Sequence, residues 1–210
     1  MIARATPESI GNITEHQTAR TYVLDIGIGI GGSYLAQDKA QGVFRLGIDI
    51  NPLALEICER NYSSPNLALQ TLDIFVQKGE RLPFEGQQFD RIEIYFPHYS
   101  GLYALISGRS GLWQEMDRIL RPGGSVHVIS DFDADNTRII RSSTRRVHFD
   151  NPHLNMAKAA REAQFNVVLT PLTPDEAKAR VMTHFSKKIA KSGERGGSHI
   201  YHLLAKKTRT

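Results

Sequence analysis

"VLDIGIGIGGSYLA", residues 23–36, decides how the rest of the chain is read. An apolar run ends at Asp25, and Gly27, Gly29, Gly31 and Gly32 follow almost at once. A strand that ends in so much bare backbone allows a ligand to come close. The usual ligand is nucleotide-like and lies across the turn into a helix. Residues 32–41 are expected to form that helix.

Outward from this turn, strand-like runs alternate with helical ones. "TYVLDIG" and "FRLGIDI" read as the first two strands, and a helix opens at Pro52, a favoured first helical position. "NLALQTLD" and "FDRIEIYF" follow as strands, the latter with Ile92, Ile94 and Phe96 on one face. "LWQEMDRIL" makes an amphipathic helix that stops at "RPGG", with Trp113 expected in the core, and "SVHVIS" is the fifth strand. A helix over residues 152–163 precedes "FNVVLT" and "HIYHLLAKK". The alternation predicts an α/β fold with a doubly wound, mostly parallel sheet. Residues 132–150 fit it least: they are polar, carry Arg138, Arg141, Arg145 and Arg146, and read as an insertion or lid.

At 210 residues, 40% hydrophobic and 23% charged, the chain is expected to be one soluble domain over residues 1–210. No run approaches a membrane span, and "MIARATPESIGN" has no apolar signal core, so a cytoplasmic location is expected. Cys58 is the only cysteine, which excludes an internal disulfide or a multi-cysteine metal site and suits a buried thiol. The eight histidines show no i,i+4 pair joined to acids, so no metal is expected. Charge is uneven. Residues 1–137 carry 11 Lys/Arg against 17 Asp/Glu, and residues 138–210 carry 15 against 5. The basic half is either a solvated face or a surface for a polyanion such as tRNA.

"GIGIGG" satisfies G-x-G-x-x-G through Gly27, Gly29 and Gly32, with Asp49 at the end of the second strand. One reading is a dinucleotide site, hence an NAD(P)-binding oxidoreductase. The other takes Asp25-x-Gly27-x-Gly29-x-Gly31 followed by "GIDIN". That pattern resembles motif I and the second-strand acid of class I S-adenosylmethionine-dependent methyltransferases. "TLDIF", "LPFEGQQFDRIEIYF" and "MDRILRPGGSVHVIS" resemble further segments of that class, in the right order. The resemblance covers roughly residues 21–205 and implies a seven-stranded sheet whose last strand is antiparallel. It implies S-adenosylmethionine as cofactor and S-adenosylhomocysteine as product. Asp49 would then accept the ribose hydroxyls and Asp73 the adenine amine, with Ile50 and Ile74 beside them in the cofactor site. Asp25 would orient the turn or reach the ligand's ammonium group. A protein that binds the cofactor without catalysis is a further alternative.

"IYFPH" at 94–98 looks like the "NFPDPWPKKRH" motif of tRNA (guanine-N7)-methyltransferases, and "VHVISDF" and "MTHFSKKIAKSGERGGSHIYHLLAKK" resemble that family's later segments. This comparison places Asp131 and Thr183 among substrate-contacting residues. Three departures follow: His98 stands where the motif has Asp, "YSGLYALISG" replaces its basic patch, and Ser186 stands where it has Glu. Loss of base-reading acids and phosphate-binding cations turns the expectation toward a small heteroaromatic acceptor rather than tRNA. The acceptor is expected at Tyr95, Phe96, Pro97, His98 and Tyr99. Tyr95, Phe96 or Tyr99 can stack on a flat ring, and His98 is either a base, an orienting group or a plain loop residue. Tyr95 and His98 are the catalytic candidates. Phe96, Tyr99, Asp131, Thr183 and Ser186 are the substrate-binding ones.

Overall fold

The computed structural model describes residues 21–31, 42–74, 80–97, 99–107, 111–133, 140–141, 146–147, 151–180 and 198–208. The helix expected over residues 32–41 lies outside them.

Seven strands form one sheet in the order β3-β2-β1-β4-β5-β9-β8. Their ranges are β1 Thr21–Ile26, β2 Val43–Asp49, β3 Leu67–Thr71, β4 Phe89–Tyr95, β5 Leu120–Asp133, β8 Phe165–Leu172 and β9 Ser198–Lys207. The first five pair in parallel, and β9 runs antiparallel between β5 and β8. The expected doubly wound sheet and its antiparallel last strand are present. The chain winds outward from β1 to β3, then crosses to β4 on the other side of β1. The β1/β4 boundary is therefore the topological switch point, where open α/β sheets bind their ligands.

One face of the sheet is apolar. Leu24, Ile26, Leu46, Ile48, Ile92, Ile94, Val126 and Val128 form it and pack against helices α2 (Tyr99–Ser107), α3 (Leu112–Ile119) and α4 (Pro152–Glu162). Trp113 of α3 is fully buried there, as its amphipathic setting predicted, and meets Phe165 edge-on. On the opposite face, helix α1 (Pro52–Tyr62) buries Leu55 and Cys58 against Ile28. Its start is fixed by Pro52 and by the Asn51 side chain, which accepts a hydrogen bond from Leu53 N at 3.1 Å.

Burial pushes the Cys58 thiol from an ordinary 9.0 up to about 12, with the Asp25 and Glu59 carboxylates adding to the effect. The unfolded chain loses this proton near its ordinary value while the folded chain keeps it. Stability is therefore expected to fall as pH rises from about 9 toward 12, by at most about 1.4 kcal/mol per pH unit from this group. Urea unfolding at pH 8, 9.5 and 10.5 checks this; Cys58→Ala should show a shallower loss.

Three features differ from the sequence expectation. Helix α2 arises from "YSGLYALIS", where no helix was expected. A segment that is apolar almost all round has no amphipathic period, and it buries Ala104, Leu105 and Ile106. Strand β5 does not begin after "RPGG" but runs through it. Phe89 pairs with Leu120 and Arg91 with Ser125, so the extra residues bulge out with Gly123 at φ +79°. Helix α5 (Pro174–Arg180) was also missed, although a capping box announces it. Thr173 N donates to Glu176 Oε2 at 2.8 Å, and Glu176 N donates back to Thr173 Oγ1 at 3.2 Å. Within the expected lid, Ile140–Arg141 (β6) and Arg146–Val147 (β7) pair as a two-stranded antiparallel ribbon. Arg138 and Arg145 lie outside the described residues.

Candidate active site

The turn after β1 is tied to β2. Gly27 N and Ile28 N both donate to Ile48 O, at 2.8 and 3.1 Å. Gly29 takes φ +56°, a left-handed conformation that glycine adopts without the steric cost of a side chain. Asp49 then locks the turn. Its Oδ2 accepts from Gly29 N at 2.9 Å and its Oδ1 from Asn51 N at 2.8 Å. Each oxygen keeps capacity for a second donor. The acid at the end of β2 thus shapes the glycine turn.

A cleft of about 260 Å³ opens beside this turn, at the carboxyl ends of β1, β2 and β4. Gly27, Gly29, Asp49, Ile50, Asp73 and Ile74 line it, all six expected from the sequence. Tyr95, Phe96 and Pro97 line it from the end of β4, with Gly101 and Leu105 of α2. Phe96 has φ +47°, uncommon for a bulky side chain and costing on the order of 1–3 kcal/mol. Two things hold it there. Phe96 N donates to Ile129 O at 2.7 Å, and its ring is buried with Tyr95, Ile129, Leu172, Ala177 and Ile200.

Two expected cofactor residues are elsewhere. Asp25 is 1% exposed and does not line the cleft; Arg45 Nη1 donates to its Oδ2 at 3.0 Å. Its neighbour two residues on, Gly27, does the lining. Gly31 also lies away from the cleft, at φ +94°. A Cβ there would run into the Tyr62 ring and come within 2.9 Å of Cys58 Sγ, so this glycine admits α1 rather than a ligand. His98, Thr183 and Ser186 lie outside the described residues. Of Tyr99 and Asp131 only the backbone is described: Tyr99 opens α2, and Asp131 pairs with Ile200 in β5. His127 of β5 lies with its Nε2 3.0 Å from Ser125 Oγ and its Nδ1 3.2 Å from His202 Nε2. Among the described residues no group of His, Cys, Asp and Glu could hold a metal, and no helix is long and apolar enough to cross a membrane.

Ile26, Ile28, Ile48, Leu72, Ile94, Pro97, Gly101 and Leu105 also line the cleft, and Gly47 supports it from below. Gly47 had a signal, a glycine inside a strand pattern, which marks close approach of another group. A Cβ on it would meet Ile28 Cδ1 at 2.5 Å and Leu69 Cδ2 at 2.9 Å. Gly47→Ala is expected to destabilise the protein by roughly 1–3 kcal/mol in urea unfolding, the scale of overpacking a filled core. It should also weaken ligand binding, because Ile28, which must shift, lines the cleft.

Comparison with known proteins agrees with this geometry. The sequence profile described as "Methyltransferase domain" matches residues 24–128, half of the chain. A phthiotriol/phenolphthiotriol dimycocerosates methyltransferase of Mycobacterium ulcerans is 32% identical over 128 residues, covering 54% of this chain and 41% of that protein. The chain spans less than half the length of the curated relatives it matches. Among solved structures, the 16S rRNA methyltransferase KamB superposes with a TM-score of 0.74 at 17% identity, over 99% of this chain and 96% of that one. Phosphoethanolamine N-methyltransferase 2 of Haemonchus contortus, solved with S-adenosyl-L-methionine, superposes with a TM-score of 0.59 at 14% identity, over 97% of this chain and 52% of that one.

Proposed function

This chain belongs to the methyltransferase domain family, and on that premise we propose that it uses S-adenosylmethionine to methylate a ring nitrogen of a heteroaromatic, purine-like small molecule. The observation that carries the acceptor reading is the left-handed Phe96. It sits between Tyr95 and Pro97 in the same cleft as Gly27, Gly29 and Asp49. Backbone strain held by a buried cluster at a ligand cleft is a mark of function.

The lining fits the cofactor. The glycine turn leaves room for its amino-acid portion and ribose. Asp49 has two oxygens with spare capacity for the ribose hydroxyls, and Asp73 can accept from the adenine amine. Ile50, Leu72 and Ile74 supply apolar walls for a base. When bound, the cofactor supplies a methyl group already activated on a sulfonium. The chain's own work is to hold a nucleophile in line with it and to keep water out. Tyr95 and Phe96 line the cleft where a flat acceptor would sit, and Pro97 stiffens the turn that carries them. A ring nitrogen with a free lone pair needs no base; a protonated one does, and His98 is the candidate for that role. Asp131, Tyr99, Thr183 and Ser186 complete the proposed acceptor contacts, from their places in the sequence.

A second reading, methylation of guanine N7 in tRNA or another RNA, is favoured by the charge distribution, 15 Lys/Arg against 5 Asp/Glu in residues 138–210. The resemblance of "IYFPH" to the tRNA (guanine-N7) motif points the same way. Mass spectrometry after incubation with methyl-labelled S-adenosylmethionine separates the two. One tube contains a heteroaromatic metabolite extract and the other bulk tRNA. Label on a small heteroaromatic product is the expected result. Robust, site-specific label on guanine at catalytic enzyme levels would overturn it in favour of RNA.

A further inference from the structure

Beneath the cleft, on the face of the sheet opposite the apolar core, two carboxylates stand side by side. Asp25 of β1 and Glu93 of β4 are register partners, each 1% exposed. Theirs is the last pair at which β1 and β4 remain in register. Beyond it the two chains part, one into the Gly27 turn and the other into Tyr95 and Phe96, and the cleft opens between them. Neighbouring strands lie roughly 4.8 Å apart, so two like charges at that pair would drive the strands apart if left alone.

Arg45 prevents this. It projects from β2, is 0% exposed, and donates from the single nitrogen Nη1 to both acids, to Asp25 Oδ2 at 3.0 Å and Glu93 Oε2 at 2.7 Å. Arg91 Nε lies 2.8 Å from the other Glu93 oxygen, so two cations balance two carboxylates. The guanidinium reaches across β1 to join a strand that carries the cofactor turn to a strand that carries the acceptor turn. We propose that Arg45 is a positioning residue: it fixes the separation of the Gly27 turn and the Tyr95–Phe96 turn, and with it the geometry in which methyl donor and acceptor meet. The inference rests on the cleft being the S-adenosylmethionine site.

The burial of the group suggests the test. A buried ion cluster is often replaced by apolar side chains without loss of stability, whereas removal of one partner strands a charge. Arg45→Met therefore cuts the tie and leaves the two buried carboxylates facing Arg91 as the one cation described beside them. The triple variant Asp25→Val, Arg45→Met, Glu93→Met cuts it and leaves no buried carboxylate there, while Arg91, 29% exposed, turns its charge to solvent. Three quantities are measured on each: the unfolding temperature, S-adenosylhomocysteine affinity by calorimetry, and the amide resonances of Gly27 and Phe96 in ¹⁵N-labelled ligand-free protein. Arg45→Met should unfold at lower temperature and shift both amides, though they lie in turns of different strands. The triple variant should regain the wild-type unfolding temperature while binding S-adenosylhomocysteine at least 10-fold more weakly, with both amides still displaced. A triple variant with wild-type affinity and wild-type amide positions would overturn the proposal, since the cluster would then serve only its own neutrality. If Arg45→Met does not fold, the triple variant alone decides. Wild-type protein that binds no S-adenosylhomocysteine would instead fault the cofactor assignment of the cleft, and the ligand-free amide shifts would still judge Arg45.

Discussion

Asp49→Ala is expected to lower S-adenosylhomocysteine affinity by about 100-fold, roughly 3 kcal/mol, measured by calorimetry. The size of the effect comes from a double role. The carboxylate accepts two backbone donors, Gly29 N at 2.9 Å and Asn51 N at 2.8 Å, one on each oxygen. Hydrogen bonds to a charged group contribute about 1.5–3 kcal/mol each, and a donor left without its partner loses more. Removing the acid therefore frees Gly29 from the conformation that opens the cleft and also removes the proposed acceptor for the ribose hydroxyls. Asp49→Asn should recover little. An amide has one oxygen where the carboxylate has two, and its NH₂ would confront one of the two backbone donors. An Asn variant with near wild-type affinity would show that the turn keeps its shape without the carboxylate.

The backbone part of that role explains why this side of the cleft was legible in the sequence. Gly27, Gly29 and Asp49 are required by the local geometry of the turn, so their pattern is dense and carries its own spacing. The strands were legible for a similar reason: buried β1, β2 and β4 read as short apolar runs between turn signals. Asp25 and Gly31, expected in the cofactor site from the same glycine pattern, do not line the cleft. Nothing within the motif tells that Arg45, 20 residues later on the adjacent strand, claims the Asp25 carboxylate. Likewise nothing there tells that Tyr62 and Cys58 occupy the space beside Gly31. Both are tertiary contacts made by residues of ordinary type. The β4 end of the cleft was only partly legible. Tyr95 and Phe96 were found by position at the end of β4, whereas Gly101 and Leu105 belong to a helix whose sequence has no polar face to announce it.

Helix α2 makes Trp113 more than a core residue. Its indole Nε1 donates to Leu105 O at 2.9 Å, near the carboxyl end of α2, where helical carbonyls lack intrahelical donors. Leu105 in turn lines the same cleft as Asp49 and Asp73. Trp113→Ala is expected to cost about 3–5 kcal/mol of folding stability, the scale for emptying a large aromatic site. Part of that loss comes from the edge-on contact with Phe165, at 5.6 Å between ring centroids. Trp113→Phe separates packing from the hydrogen bond. It keeps most of the buried ring but leaves the Leu105 carbonyl without the indole donor, for an expected loss of about 1–3 kcal/mol. Urea unfolding measures both values. Because the donor holds helix α2 and not the Gly27–Asp49 turn, S-adenosylhomocysteine affinity of the folded Phe variant should, on the proposed assignment of the cleft, stay close to wild type. Methyl transfer to the acceptor should fall, with the loss appearing in acceptor KM. A Phe variant as stable as wild type, or one that loses cofactor affinity instead, would show that Trp113 does not act through Leu105 on the acceptor side of the cleft.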